Sequence, residues 1–182
     1  FSAADISSVY GIPAAKIDVV YNGVSGQFFP VSDDEAENYR LKLTGGRPYF
    51  VFVSNFSPRK NVPTLIKAFE RFRADSSADY ALVLAGSRLY LNGELDRAIR
   101  ESSYADSVIF TGRLSRDELR KVYGAAAAFV FVPWFEGFGI PVVEAMRCGT
   151  PCIISDNSSL PEVSGGAGLC VSAADTEAIA MA

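Results

Sequence analysis

From residue 48 onward the chain alternates short apolar runs with amphipathic stretches. The runs "PYFVFVS" (48–54), "YALVLAG" (80–86), "SVIFTG" (107–112), "AAFVFVP" (127–133), "PCIIS" (151–155) and "AGLCV" (167–171) are dominated by strand-forming residues without period-two alternation. Between them lie "PTLIKAFERFRA" (63–74), with Pro63 in a first turn, "NGELDRAIRESS" (92–103) and "SRDELRKVYGAA" (115–126). In the last of these, Ser115 and Glu118 have capping-box spacing. A further helix is predicted from Ile140-Pro141 to Gly149, a short one at "LPEVSG" and a final one at the C-terminus. Strands that are apolar throughout need cover on both faces, which predicts a parallel, doubly wound Rossmann-like α/β sheet. Ahead of it, "SAADISSVYG" predicts a short helix, "KIDVVYNGV" (16–24) a strand running into an Asn-Gly turn, and "SDDE" a helix start stopped by "TGGRP".

This topology places a site before any chemistry is considered. In the strand order 3-2-1-4-5-6, the first and fourth strands are neighbours, and ligands bind beyond their C-terminal ends. Here those ends are "SNFSPRKN" (54–61) and "PWFEGFG" (133–139), the two most polar and least regular junctions.

Composition narrows the chemistry. A chain of 182 residues with 49% hydrophobic and 21% charged residues is long enough for one sizeable core. Its net charge of −4 argues against a protein that coats nucleic acid. Cys148, Cys152 and Cys170 have no metal-site spacing and read as small buried apolar residues of a reducing, cytoplasmic setting. The absence of histidine excludes Ser/His and Cys/His dyads and histidine metal ligands within this chain. With no Asp-x-Asp pair either, no metal is expected, and phosphate recognition would fall to Lys, Arg and backbone amides.

Glu136 and Glu144 flank a Gly-Phe-Gly turn at the start of a predicted helix. Their spacing alone is weak evidence, and carboxylates near a helix N-terminus also favour the macrodipole. The setting favours a binding role. Gly137 and Gly139 clear the approach to the amides of Phe138, Gly139 and Ile140, where an anion would be held while the carboxylates accept hydroxyl hydrogen bonds. Arg59 and Lys60, at the facing junction, read as diphosphate ligands, and Asn61 as the cap of the following helix. Trp134 and Phe135 read as aromatics sealing the core, Glu162 as a capping carboxylate, and "RFRADSSAD" as a solvated helix end.

The stretch "FEGFGIPVVEAMRCGTPCIISDNSSLPEV", with "SPRKN" upstream, resembles the C-terminal domain of retaining GT-B glycosyltransferases of the large family 4 type. "NGV" (22–24), "FFP" (28–30) and "FTGRLSRDELRKVYGAA" extend the resemblance over nearly the whole chain. It implies residues 1–45 as a linker from a preceding N-terminal domain and 46–182 as a nucleotide-sugar-binding domain cut short at its end. By the same resemblance, Lys60 contacts the donor diphosphate, Glu144 the ribose, and Glu136 the transferred sugar. The amides around Phe138–Ile140 hold sugar or phosphate, and the backbone at Arg113-Leu114 meets the base. Many members carry Gly-Arg directly after the first strand; this chain has Ser54-Asn55, which leaves two alternatives, that Arg59 supplies the charge or that the phosphate contact is lighter.

The implied activity is transfer of a sugar from a nucleotide diphosphate-sugar, with GDP-mannose favoured over UDP- or ADP-sugars. A glycan or lipid-linked acceptor would be held by the other domain, where any contact with the inner face of the membrane would also lie. Three rival readings stand beside this one, and the first, a glycogen-phosphorylase-like or sucrose-synthase-like enzyme of the same superfamily, would carry features not visible in this chain. A non-catalytic nucleotide-binding scaffold of the same fold sits poorly with intact Lys60, Glu136 and Glu144; a flavodoxin-like receiver domain would need acidic residues where Arg59-Lys60 stand.

Overall fold

The computed structural model describes residues 1–87 and 93–182. Its centre is a six-stranded, all-parallel sheet in the order β3-β2-β1-β4-β5-β6. The strands are β1 (Tyr49–Val53), β2 (Ala81–Ala85), β3 (Val108–Gly112), β4 (Ala128–Phe131), β5 (Cys152–Ser155) and β6 (Leu169–Val171). Every residue of β2, β4 and β5 is buried, whereas β3 and β6, at the sheet edges, are partly open. The apolar runs therefore read as they do because the central strands are covered on both sides.

Helices supply the cover: α1 (Ser2–Tyr10), α2 (Asp33–Thr44), α3 (Val62–Asp75), α4 (Gly93–Glu101), α5 (Arg116–Gly124), α6 (Ile140–Arg147), α7 (Leu160–Ser164) and α8 (Thr176–Met181). Asn92, the first residue of the predicted fourth helix, lies outside the described residues. Ser32 caps α2 by accepting from the Glu35 amide, and Ser115 and Glu118 form the complete capping box on α5. Burial of Val62, Leu65, Ile66, Ala68 and Phe69 on one face of α3 follows the amphipathic pattern that predicts it.

The strand expected at 16–24 does not form. A 3₁₀ turn at Ala14–Lys16 gives way to irregular backbone, and Val19, Val20 and Tyr21 are exposed. The segment has strand propensity but no partner, and a strand without a partner leaves its amides and carbonyls unpaired. Instead Tyr21 donates its hydroxyl to Glu162 at 2.7 Å, so that carboxylate serves this contact rather than a helix cap. Farther on, Phe28 is buried against Tyr123, and Arg120 pairs with Glu35 while stacking on Phe29. These contacts tie the segment ahead of β1 to α5.

Two other local expectations are corrected. Most of the stretch 71–79 is exposed, as a solvated helix end would be, but Arg73 within it is not: it pairs with Asp79 at 2.8 Å, donates to the Tyr80 carbonyl and lies over Tyr104. Cys148 and Cys152 are buried, but Cys170 is exposed because it stands on the edge strand β6.

Candidate functional site

The junctions after β1 and β4 meet, as the strand order requires. Beyond β1 the chain makes a 3₁₀ turn at Pro58–Lys60, and the Arg59 carbonyl accepts from the Trp134 amide at 3.0 Å. The Arg59 guanidinium donates to the Phe135 carbonyl at 2.5 Å and lies 3.4 Å from a Glu136 carboxylate oxygen. Lys60 pairs with that same oxygen, Oε2, and its ammonium sits 4.9 Å above the Phe131 ring. Lys60 is 6% exposed, so its charge is held in a nearly dry setting and must be partnered.

Asn61 explains why the lysine sits there. Its backbone is left-handed (φ 57°), and its side-chain amide donates to the carbonyls of Val132 at 3.0 Å and Ala173 at 2.8 Å. It occupies the cap position of α3 without bonding as a cap. The amide is instead spent fixing the turn to the end of β4 and to the loop before α8. Asparagine tolerates the left-handed region and carries the needed donors, so one residue does both jobs.

On the facing side, the loop 132–139 is held by its backbone. The Glu136 amide donates to Ser158 Oγ at 3.1 Å, and Ser159 Oγ donates to the carbonyls of Glu136 at 2.9 Å and Phe138 at 3.1 Å. Asn157 adds a bond to the Pro133 carbonyl at 3.4 Å. Gly139 has φ 94°, and a Cβ there would lie 2.4 Å from Leu160 Cδ2, so both conformation and space demand glycine. Gly137 differs: a Cβ there would meet nothing within 4 Å, which leaves that side of the turn open. Trp134 and Phe135 do not seal the core; at 50% and 45% exposed they stand out from the loop at the C-terminal edge of the sheet.

Environment separates the two glutamates. Burial pushes the Glu136 carboxyl up, but the Lys60 ammonium, the Arg59 guanidinium and the Gly137 amide outweigh it and hold it below its ordinary value. Glu144, in the second turn of α6, accepts from the Tyr123 hydroxyl at 3.1 Å. Burial raises its carboxyl above the ordinary value against that hydrogen bond and the charge of Arg116.

Arg113 and Leu114 line a separate cleft of about 380 Å³ with Ser54, Asn55 and Gly86, at the C-terminal ends of β1, β2 and β3. Gly86 is obligatory there, since a Cβ would sit 1.8 Å from the Ser54 carbonyl oxygen. Arg59 does not reach into this cleft; its partners are Phe135 and Glu136. The structure thus brings Arg59, Lys60 and Glu136 into contact and sets Gly137, Phe138, Gly139 and Ile140 beside them in chain. Glu144 lies farther along α6, and Arg113 and Leu114 line the neighbouring cleft. A larger groove of about 450 Å³ opens at the other end of the sheet between α3 and α8, but no charged side chain lines it. Sequence reasoning missed Tyr123, Asn157, Ser158 and Ser159. The polar run "DNSS" after β5 was the available signal for three of them; nothing in the sequence marks Tyr123 as the partner of Glu144.

A parallel, doubly wound sheet with Arg59, Lys60 and Glu136 paired at its switch point defines a Rossmann-like α/β domain. Residues 33–182 match the model of the glycosyl transferases group 1, and the chain belongs to that family. It is 31% identical to the O-antigen chain mannosyltransferase B of Escherichia coli, over 98% of this chain and 47% of that protein. Among solved structures, it resembles the C-terminal domain of a glycosyl transferase group 1 family protein (LpcC) from Francisella tularensis. That likeness has TM-score 0.69 and 20% identity, over 88% of this chain and 85% of the other. Anabaena Alr3699/HepE in complex with UDP-glucose is similar at TM-score 0.86 and 22% identity, over 99% of this chain and 50% of that one. The fold is the C-terminal half of a GT-B glycosyltransferase. The chain spans about half the length of the E. coli relative.

Among the described residues, no helix is long and apolar enough to cross a membrane. No group of three or more carboxylates or thiols is arranged to hold a metal ion among them either.

Proposed function

We propose that this chain is the donor-binding half of a retaining hexosyltransferase that takes mannose from GDP-mannose. The observation that carries the proposal is the convergence of Lys60, Arg59 and Glu136 at the switch point, beside the N-terminus of α6. The leaving group of such a transfer is a nucleoside diphosphate, and charge builds on it as the glycosidic bond breaks. Lys60 and Arg59, with the amides of Phe138, Gly139 and Ile140, stabilise that charge without a metal. Glu144 accepts from the ribose hydroxyls, and the backbone at Arg113 and Leu114 takes the base in the cleft beyond β1 and β2. Glu136 orients the sugar. Positioning and electrostatics supply the catalysis, so no side chain is cast as a covalent nucleophile.

The mannosyl donor is supported by the name of the E. coli relative, and a nucleotide-sugar donor by the UDP-glucose bound to Alr3699/HepE. The acceptor, a glycan or a lipid-linked glycan, belongs to the other half of the protein, at the cytoplasmic face of the membrane. The test is proton NMR of the sugar transferred by the full-length protein from GDP-mannose. An α-configured anomeric centre in the product, matching the donor, is the expected result; inversion to β refutes the retaining assignment, and inertness toward GDP-mannose refutes the donor.

A further inference from the structure

We propose that Glu136 is a built-in stand-in for the donor diphosphate: it pairs with Lys60 and Arg59 when no nucleotide is bound, and nucleotide binding displaces it. This rests on the donor-site reading above and adds how the site tells intact donor from spent nucleotide. The two cations assigned to the diphosphate are already partnered, both by Glu136 Oε2. The Lys60 and Glu136 side chains are 7% and 15% exposed, so the pair is shielded from water, and an incoming diphosphate must compete with a carboxylate already in place. Both are anions, and they cannot share a buried ammonium without repulsion.

The surrounding contacts permit the carboxylate to leave. The Glu136 backbone is fixed at its amide by Ser158 and at its carbonyl by Ser159, so the side chain swings about an anchored main chain. Gly137 leaves its own side of the turn open, and its amide donates to Glu136 Oε1 at 3.2 Å, so Oε1 stays partnered when Oε2 leaves the cations. Displaced from Lys60, the carboxylate keeps only the Gly137 amide on Oε1 and leaves Oε2 without its cations, and a sugar hydroxyl on the intact donor supplies the missing hydrogen bond. A nucleoside diphosphate alone displaces Glu136 and offers nothing in return. After transfer the sugar is gone, the carboxylate returns to Lys60, and the nucleotide is expelled. Glu136 thereby acts as a specificity residue for donor over product.

The test is calorimetric titration of the full-length protein and its Glu136→Gln variant with GDP and GDP-mannose, repeated on a Lys60→Gln background. The charge-neutral variant should bind GDP on the order of tenfold more tightly, equivalent to freeing a lysine that is available roughly a tenth of the time in the native protein. It should also lose the native preference for GDP-mannose over GDP. On the Lys60→Gln background, where only the longer Arg59 contact remains to be freed, the same change should tighten GDP binding markedly less. Equal tightening on both backgrounds would mean bulk charge repulsion rather than displacement, and no tightening would refute the stand-in outright. Glu136→Asp, which draws the carboxylate back by one methylene, provides a second variant with the same expected direction should Glu136→Gln not fold. If the unaltered protein binds neither ligand, the donor-site reading fails and this inference with it; if it binds both and the variants change nothing, only the inference fails.

Discussion

Glu136 and Glu144 are the same residue type eight positions apart, yet their carboxyls are pushed in opposite directions. This makes their contributions to stability separable by pH. Glu136 is held below its ordinary value of 4.5, so its stabilising effect is present above that value and is lost as acid takes the pH through its folded value. Glu144 is raised, so its ionised form costs stability at neutral pH, and that cost disappears as the pH falls through its folded value. In thermal denaturation against pH, Glu136→Gln should lower Tm at neutral pH and Glu144→Gln should raise it, both differences shrinking in acid. Shifts of the same sign in the two variants would refute this reading of the site's electrostatics. Glu144→Gln should be more stable and less able to hold a ribose, which is expected where a group is kept for binding rather than for folding. The thiols give a simpler check. Burial pushes Cys148 up to about 11 and Cys152 to about 12, while Cys170 is exposed. At neutral pH an alkylating reagent should label Cys170 alone in the folded protein and all three in denaturant, as read by mass spectrometry.

Elements divide into those whose cause is local and those whose cause is not. Ser32 and Ser115 with Glu118 act within a few residues of themselves, so α2 and α5 were legible at their starts. The strands were legible because burial on both faces leaves an apolar run that needs no knowledge of the partner. The 16–24 segment misled because propensity was present and the partner strand was not. Asn61 misled for a related reason: the position is a cap by sequence, but its amide is claimed by Val132 and Ala173, far away in the chain. Trp134 and Phe135 continue an apolar run past the end of β4, and only the position of the sheet edge shows that they have left the core. The turn before α6 is the element on which the site depends most. Gly139→Ala should cost about 1–3 kcal/mol from the left-handed backbone and the contact with Leu160, as measured by urea denaturation. An unchanged midpoint would show that α7 shifts to make room.

At the scale of the whole molecule, the strand order decides where function can lie. A chain that orders its strands 3-2-1-4-5-6 brings residues 58–60 against 134–136, and a pairing across 76 positions becomes a direct contact between Lys60 and Glu136. That is why the cationic half of the site could be located from the sequence before any family resemblance was considered. The same order lays the loop after β5 beside the loop after β4. Which of its side chains bond the Glu136 amide and the carbonyls of Pro133, Glu136 and Phe138 depends on turn geometry that the apolar pattern does not carry. The groove at the opposite end of the sheet is larger but has no charged side chain in its lining, and volume without charge is no place for a diphosphate.

The most direct test of the account is calorimetric titration of the protein and its Lys60→Ala variant with GDP and with guanosine. The account predicts that the variant binds GDP more weakly by about 1.5–3 kcal/mol, the typical worth of a hydrogen bond to a charged group, while guanosine binding is unchanged. Equal weakening of both ligands, or none, would place the diphosphate somewhere other than the switch point and contradict it.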